Sequence, residues 1–167
     1  MNPVTFTSVL ERKHKGELER LLFLNPGQHL VRSAIIEAVE KYGIPRVIEE
    51  QGRLRVNLDS GREVQTLFAI GHSGLRSRLA GVMVYTRLDV EIILLMHMAV
   101  AADYASGGQF GRQMLALRMV EKLREIAGQV KGVRAVRLIL GGGKVWDAPV
   151  QRAAGRKSLT DKLPPLA

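Results

Sequence analysis

Hydrophobic positions in the first quarter of the chain recur with two periods, first that of a strand and then that of helices. Residues 4–9 alternate apolar and polar side chains and are rich in β-branched types, which predicts a first strand. Residues 16–24 predict a short helix, ended by Asn25-Pro26-Gly27. Residues 28–42 place apolar side chains at the i, i+3, i+4 spacing of an amphipathic helix, and Gly43 ends it. Two helices are therefore expected after the first strand.

From Arg46 onward the apolar positions repeat every second residue, as they do in half-buried strands. A polar loop is expected at residues 71–78, between the last two of these strands. Turn residues connect the strands, so we expect antiparallel pairing in a meander. The predicted strands are residues 46–50, 54–58, 64–70 and 79–86.

An apolar strand, a glycine-rich turn and a helix follow one another in the second half of the chain. The strand covers residues 90–100, the helix runs from about 110 to 130, and a further strand covers 133–140. Strands joined through a helix pair in parallel, with a right-handed crossover. Amide groups at a helix start attract anions, and glycine lets the main chain approach them closely. The pattern therefore predicts a phosphate-bearing ligand, although Gly107 and Gly108 also fit a simple tight turn, and this alternative stays open.

The composition narrows the class of protein. A chain of 167 residues with 46% hydrophobic side chains suits a single domain, which we place at residues 1–141, with 142–167 as a C-terminal extension. The sequence has no cysteine, which excludes disulfides, thiolate metal sites and cysteine catalysis. The four histidines lie far apart in sequence, so no metal site is expected. Since neither a membrane span nor a secretory signal is recognisable, we expect a cytoplasmic protein with no membrane partner.

The charge favours anionic partners. Lys and Arg number 25 against 16 Asp and Glu, a formal net charge of +9. Such a surface attracts nucleic acid nonspecifically. The cations are dispersed along the chain, however, and no aromatic residues alternate with them as base-stacking surfaces require. A basic nucleic-acid-associated protein is therefore kept as an alternative.

The order of predicted elements resembles the GNAT (GCN5-related) N-acetyltransferase superfamily. The resemblance is carried by residues 91–130, where the apolar strand and the glycine turn look like the family's fourth strand and its acetyl-CoA pyrophosphate loop. In the loop pattern of the family, a Gln or Arg is followed by any two residues, a Gly, any one residue and a final Gly or Ala. With Gly111 as the final residue, Gln109 stands at the other glycine position and Ser106 at the Gln or Arg position. The resemblance implies a three-layer α/β/α fold, with a mixed, mostly antiparallel central sheet and a βαβ acetyl-CoA-binding unit.

The resemblance also implies an activity, namely direct transfer of acetyl from acetyl-CoA to an amine of an unidentified acceptor. The main chain of the fourth strand would bind the pantetheine arm, and amides of the loop would bind the pyrophosphate. The cofactor-binding residues implied in this way are Met98, Ala99, Val100, Gly108, Gln109, Phe110, Gly111, Arg112 and Gln113.

Three side chains are catalytic candidates within this resemblance. Glu91 resembles the glutamate that some relatives use as a base through water, and His97 lies close to the expected thioester end. On a regular strand Glu91 and His97 share a face and are separated by roughly 20 Å, so they do not both touch one amine. In many members of the family a tyrosine after the fifth strand protonates the departing thiolate, but the corresponding region 146–157 contains no tyrosine. Tyr104 and Tyr85 are therefore the tyrosines near the expected site. Tyr104 is the candidate acid. The alternative roles are an exposed carboxylate at a strand end for Glu91, a hydrogen-bonded core residue for His97, and packing for the two tyrosines.

Two further points stay open at this stage. The imperfect loop motif and the missing late tyrosine also fit a noncatalytic acyl-CoA-binding domain of the same fold. The apolar pair Val145-Trp146 fits either an edge strand or the contact of a homodimer.

Overall fold

A computed structural model describes residues 2–24, 32–141 and 144–152, and these residues form an α/β fold with two sheets. The predictions for residues 25–31, 142–143 and 153–167 lie outside the described residues. In chain order the elements are β1 (Val4–Thr7), β2 (Leu10–Glu11), α1 (Lys15–Phe23), α2 (Arg32–Tyr42), β3 (Pro45–Glu50), β4 (Arg53–Leu58), β5 (Gln65–Ser73), β6 (Arg76–Arg87), β7 (Ile92–Val100), α3 (Leu115–Gly128), β8 (Ala135–Gly141) and β9 (Lys144–Pro149).

The main sheet is mixed and has six strands in the order β1-β5-β6-β7-β8-β9. All neighbours in it are antiparallel except β7 and β8, whose predicted parallel pairing is confirmed. The predicted meander is divided between two sheets, because β3 and β4 pair with β2 in a separate sheet of order β2-β4-β3. The strand β9, which carries Val145-Trp146, forms one edge of the main sheet and joins the predicted extension to it.

Helices pack on both faces of the main sheet. One hydrophobic core lies between the sheet and α3, and the other lies between the sheet, α1, α2 and the small sheet. The helix α3 buries an apolar stripe of residues at the i, i+4 spacing, whereas Ala116 on the same helix is exposed. Burying a Leu or Met contributes about 1.5–3 kcal/mol relative to exposure, so this stripe fixes α3 on the sheet. The fully buried residues of the stripe are Leu115, Met119, Leu123 and Ala127.

Two predicted boundaries are wrong in a way that matters for the site. The helix α3 begins at Leu115 rather than near residue 110, because Gly111–Gln113 form a 3-10 turn and Met114 adopts a left-handed conformation with φ 51°. The predicted loop 71–78 is mostly strand, since β5 continues to Ser73 and β6 begins at Arg76. Residues with polar side chains at the end of a hairpin can form backbone strand pairs, just as apolar residues do. Polarity alone therefore does not mark a loop.

The strand β7 begins at Ile92, two residues later than predicted. The Asp89 carboxylate accepts the N–H groups of Glu91 and Ile92 at 2.7 and 2.9 Å, so it fixes the turn that precedes the strand. The following parallel strand likewise begins at Ala135 rather than at residue 133. Among the described helices, none has both the length and the apolar character that crossing a membrane would require.

Candidate functional site

The parallel strands β7 and β8 separate halfway along their length. Their register runs from Ile92 opposite Ala135 to Leu95 opposite Leu138. Beyond this point β7 continues to Val100 and β8 to Gly141, with no further pairs between them in the ranges that the structure describes. The carboxyl halves of the two strands therefore border a split in the sheet.

A β-bulge in β7 lies at the start of this split. Val84 of β6 pairs with His97, but the next residue, Tyr85, pairs with Leu95, so Met96 is an extra residue. A bulge changes which face the following side chains occupy. Met96 and His97 consequently line the same cavity, on the face covered by α1 and α2.

The predicted alternation along β7 is therefore wrong beyond Met96. On the regular strand that the sequence predicts, Met98 and Val100 would share a face with Met96, whereas both pack against the core on the α3 side. Ala99 lies instead in the core on the side of α1 and α2. One inserted residue reverses the phase of every side chain after it.

His97 is the polar side chain of the bulge. Its Nε2 atom is buried and has no hydrogen-bond partner within the described part of the chain. Burial lowers the pKa of His97 below the ordinary value of 6.5, because an apolar surrounding disfavours the charged ring. His97 is accordingly a neutral imidazole at pH 7.

The cavity beside His97 has a volume of about 220 Å³ and lies between α1, α2 and the main sheet. Phe23 and Ile44 belong to its lining yet are 43% and 50% exposed, so they mark its mouth. Among the described lining residues none is Asp, Glu, Lys or Arg, and Tyr42 and His97 are the titratable ones. The lining residues are Leu22, Phe23, Ala38, Val39, Tyr42, Gly43, Ile44, Pro45, Leu58, Val84, Met96 and His97.

The glycine-rich loop between β7 and α3 uses many of its own amide groups. The Phe110 N–H donates to the Asp103 carbonyl at 2.6 Å, and the Gly111 N–H donates to the Gly108 carbonyl at 3.0 Å. The amides of Gly108 and Gln113 also donate to carbonyls within the loop, those of Ala105 and Phe110. Four of the six loop residues predicted to bind cofactor therefore have their N–H groups in internal hydrogen bonds.

The loop glycines are required by the shape of the loop itself. Gly107 has φ +85°, which an L side chain rarely adopts. A Cβ atom on Gly111 would lie 2.6 Å from the Ala105 carbonyl oxygen, and one on Gly108 would overlap the backbone of Ala102 and Asp103. These conformations are those of a tight turn, and they are needed whether or not the loop binds a phosphate.

The start of α3 offers backbone donors next to this loop. No side chain of the described residues caps the helix, and its first turn contains no acidic residue. The Arg118 N–H donates to the Met114 carbonyl at 3.0 Å, so the amides of residues 115–117 precede the first bond of the helix. Arg112 is exposed just before the helix, and the Arg118 guanidinium donates to the Gln113 amide oxygen at 3.4 Å.

Glu91 lies at the opposite end of β7 from the loop. It is exposed and forms a surface ion pair with Arg134, whose Nε atom is 3.4 Å from its carboxylate. About nine residues of strand, roughly 30 Å, separate Glu91 from Val100. The structure therefore does not bring Glu91 to the split or to His97.

Tyr104 is buried on the α3 side of the sheet. Its ring lies 5.0 Å from that of Phe110, measured between centroids, and its hydroxyl group approaches Gly71 of β5. Burial raises the pKa of the Tyr104 hydroxyl, and burial raises that of Tyr85 as well. Tyr104 and His97 lie on opposite faces of the main sheet, so the three catalytic candidates occupy three separate places.

The cavity is a feature that the sequence pattern did not reveal. Phe23, Tyr42, Ile44 and Val84 come from four different elements or connections, and none belongs to a recognisable motif. The nearest signal was the end of the second helix, where Tyr42 precedes the predicted stop at Gly43. Such a signal indicates a boundary and not a ligand site.

Within the described ranges, no group of three or more His, Asp or Glu side chains is arranged to hold a metal ion. Comparisons of the chain with protein-family models, with curated proteins and with solved structures give no match.

Proposed function

We propose that this protein is an acetyl-CoA-dependent N-acyltransferase with a GNAT-like three-layer fold. The observation that carries the proposal is the separation of β7 and β8 directly after Leu95 and Leu138, at the bulged Met96. In the superfamily that the sequence resembles, the strand pair around the fourth strand opens in this way for the pantetheine arm. By that resemblance, the main chain of Met98, Ala99 and Val100 would bind the arm.

The pyrophosphate would bind at the start of α3. The amides of residues 115–117 form an uncapped helix start with no acid in the first turn, which favours an anion. Arg112 adds an exposed cation beside it. Of the loop residues predicted to bind the cofactor, this assignment retains Gln109 and Arg112. The main N–H donors to the pyrophosphate lie a few residues further along the chain than predicted, at residues 115–117.

His97 would act on the acceptor amine. As the amine nitrogen attacks the thioester carbonyl, the N–C bond forms, and the nitrogen must lose a proton. The neutral imidazole of His97 accepts that proton, the C–S bond breaks, and the CoA thiolate leaves. Water then protonates the thiolate, since no tyrosine follows β8 in residues 144–152.

The binding step is tested at Ala116, an exposed residue of the first turn of α3. Ala116→Glu and Ala116→Gln differ only in charge, and an acid there is favourable to the helix. We expect calorimetry to show acetyl-CoA binding about tenfold weaker for Ala116→Glu than for Ala116→Gln, with thermal stability unchanged or raised. Equal affinities of the two variants, or no binding by the parent protein, would contradict the proposal.

A noncatalytic acyl-CoA-binding protein is the second candidate. It is favoured by the separation of Glu91, His97 and Tyr104, which leaves His97 as the one candidate beside both the split and the cavity. The two functions differ in free thiol release from acetyl-CoA when amines are added. Amine-dependent release that falls in His97→Leu supports the enzyme, and binding without release across a broad amine panel supports the second candidate.

A further inference from the structure

We infer that the cavity between α1, α2 and β7 binds an apolar amine that is uncharged at neutral pH, such as an arylamine, with its N–H donated to His97 Nε2. The role of this ligand as an acetyl acceptor rests on the proposed function. Its binding to the cavity does not, because binding follows from the shape and chemistry of the cavity alone.

The size of the cavity sets the size of the ligand. An apolar protein cavity of about 150 Å³ is sufficient for benzene. The cavity of about 220 Å³ therefore accepts an aromatic ring with one or two short substituents. The exposed Phe23 and Ile44 at the mouth extend this apolar surface outwards, so a substituent opposite the amine fits there.

The lining excludes cationic amines. None of the lining residues that the structure describes carries a carboxylate, so an ammonium group inside would lose its water without gaining a counter-ion among them. The net charge of +9 adds a weak repulsion. Polyamines and aminoglycosides are thereby disfavoured. An arylamine avoids this cost, because delocalisation of its lone pair into the ring keeps it neutral at pH 7.

His97 supplies the polar contact. A neutral imidazole has one accepting nitrogen, and the buried Nε2 atom has no partner among the described residues. A buried polar atom without a hydrogen-bond partner destabilises the protein. A ligand N–H that donates to this atom therefore contributes more binding free energy than one that donates to an atom already hydrogen-bonded. Val84 and Met96 beside it provide apolar walls that orient the ring.

Three ligands of similar shape test the inference by calorimetry at pH 7 without acetyl-CoA. They are p-toluidine, which is neutral and has an N–H donor, p-xylene, which has no donor, and 4-methylbenzylamine, which is a cation. We expect p-toluidine to bind at least tenfold more tightly than 4-methylbenzylamine. In His97→Leu we expect the ratio of p-toluidine to p-xylene affinity to fall about five- to tenfold, as loss of one hydrogen bond predicts.

A second variant locates the ligands. Ala38→Trp introduces a large side chain from the partly buried cavity wall and should remove binding of p-toluidine and p-xylene. Glu37→Trp, on an exposed position of the same helix, should leave it unchanged. An unchanged ratio in His97→Leu, tightest binding of the cation, binding that survives Ala38→Trp, or no binding at millimolar ligand would each overturn the inference.

Failure of this inference and failure of the proposed function are distinguishable. If p-toluidine binds the cavity but no acetyl-CoA binds, the enzyme proposal fails and the inferred ligand class stands. If acetyl-CoA is consumed with cationic amines but not with arylamines, the enzyme proposal stands and the inferred ligand class fails.

Discussion

The Tyr104 hydroxyl group occupies the space beside Gly71 where a side chain of that residue would lie. Gly71 belongs to β5 and Tyr104 to the loop after β7, so this contact fixes the loop on the sheet two strands away from its origin. The absence of a side chain at Gly71 thus positions the loop that leads to the candidate pyrophosphate site.

Gly71→Ala should displace Tyr104, because the added Cβ would overlap its hydroxyl oxygen. We expect a loss of about 1–3 kcal/mol in the free energy of unfolding, measured with urea. Tyr104→Phe in the same chain should restore part of it, since the next ring atom would lie 3.0 Å from the new Cβ. Gly16→Ala in α1 is the control, as its Cβ would meet its nearest atom at 3.7 Å. Additive effects of Gly71→Ala and Tyr104→Phe would contradict this account.

The order of elements could be predicted from the sequence because it depends on periodic burial. The stripe Leu115, Met119 and Leu123 fixes the period of α3, and the apolar run in β7 marks a strand buried on both faces. The start of α3 could not be predicted, because Met114 enters a left-handed conformation that nothing in its side chain favours.

The candidate site was only partly predictable for a similar reason. At the bulge, Met96 is an extra residue in β7 that has no pairing partner in β6. Nothing in the sequence Met96-His97-Met98 indicates that a bulge lies there. The cavity assembles residues from distant parts of the chain, so its shape is a property of packing. The burial of His97 Nε2 without a partner among the described residues follows from both the bulge and the packing, whereas the sequence pattern shows only an isolated histidine.

Glu17 connects α1 to β6 through one hydrogen bond and to the turn before α1 through another. One carboxylate oxygen is 2.9 Å from Nδ1 of the buried His14, and the other accepts the Leu79 N–H at 2.8 Å. Glu17→Ala leaves both groups without this partner and should destabilise the protein by about 2 kcal/mol in urea unfolding. Glu19→Ala, on an exposed position of the same helix, should change it by about 0.5 kcal/mol or less. Equal effects of the two substitutions would show that Glu17 does not have this role.

Arg124 holds α3 to the end of β9. Its buried guanidinium donates to the Glu121 carboxylate at 3.1 and 3.2 Å and to the Pro149 carbonyl at 2.6 Å. Glu121→Gln removes the counter-charge of a buried cation, so we expect the free energy of unfolding to fall by about 2 kcal/mol. This value is below the range for fully buried ion pairs because Glu121 is partly exposed.

The matched control for this pair is Glu125→Gln. Glu125 pairs with Lys122 at 3.0 Å on the surface of the same helix, with the same i, i+3 spacing. Such an exposed pair contributes about 0–1 kcal/mol and weakens in salt. Thermal unfolding of both variants at low and high salt therefore separates the pairs, and equal losses with equal salt dependence would show that burial of Arg124 is irrelevant.

His97 should make the stability of the protein depend on pH below neutrality. Burial lowers its pKa in the folded state below the ordinary value of 6.5, so the unfolded chain binds the proton first as the pH falls. The contribution of neutral His97 is therefore complete above pH 6.5 and is lost progressively as the pH falls from there through the folded-state pKa. The slope is at most about 1.4 kcal/mol per pH unit for one proton.

His97→Leu isolates this effect. The leucine variant differs from the parent protein at this one position, so subtracting its free energy of urea unfolding from that of the parent protein at each pH isolates the contribution of residue 97. We expect the difference to be constant between pH 7 and 8 and to shift in favour of the variant below pH 6.5. Parallel stability curves down to pH 5 would mean that the ring is not held neutral by burial. The cavity would then have to admit water or an anion to His97, and the preference for an uncharged ligand would lose its physical basis.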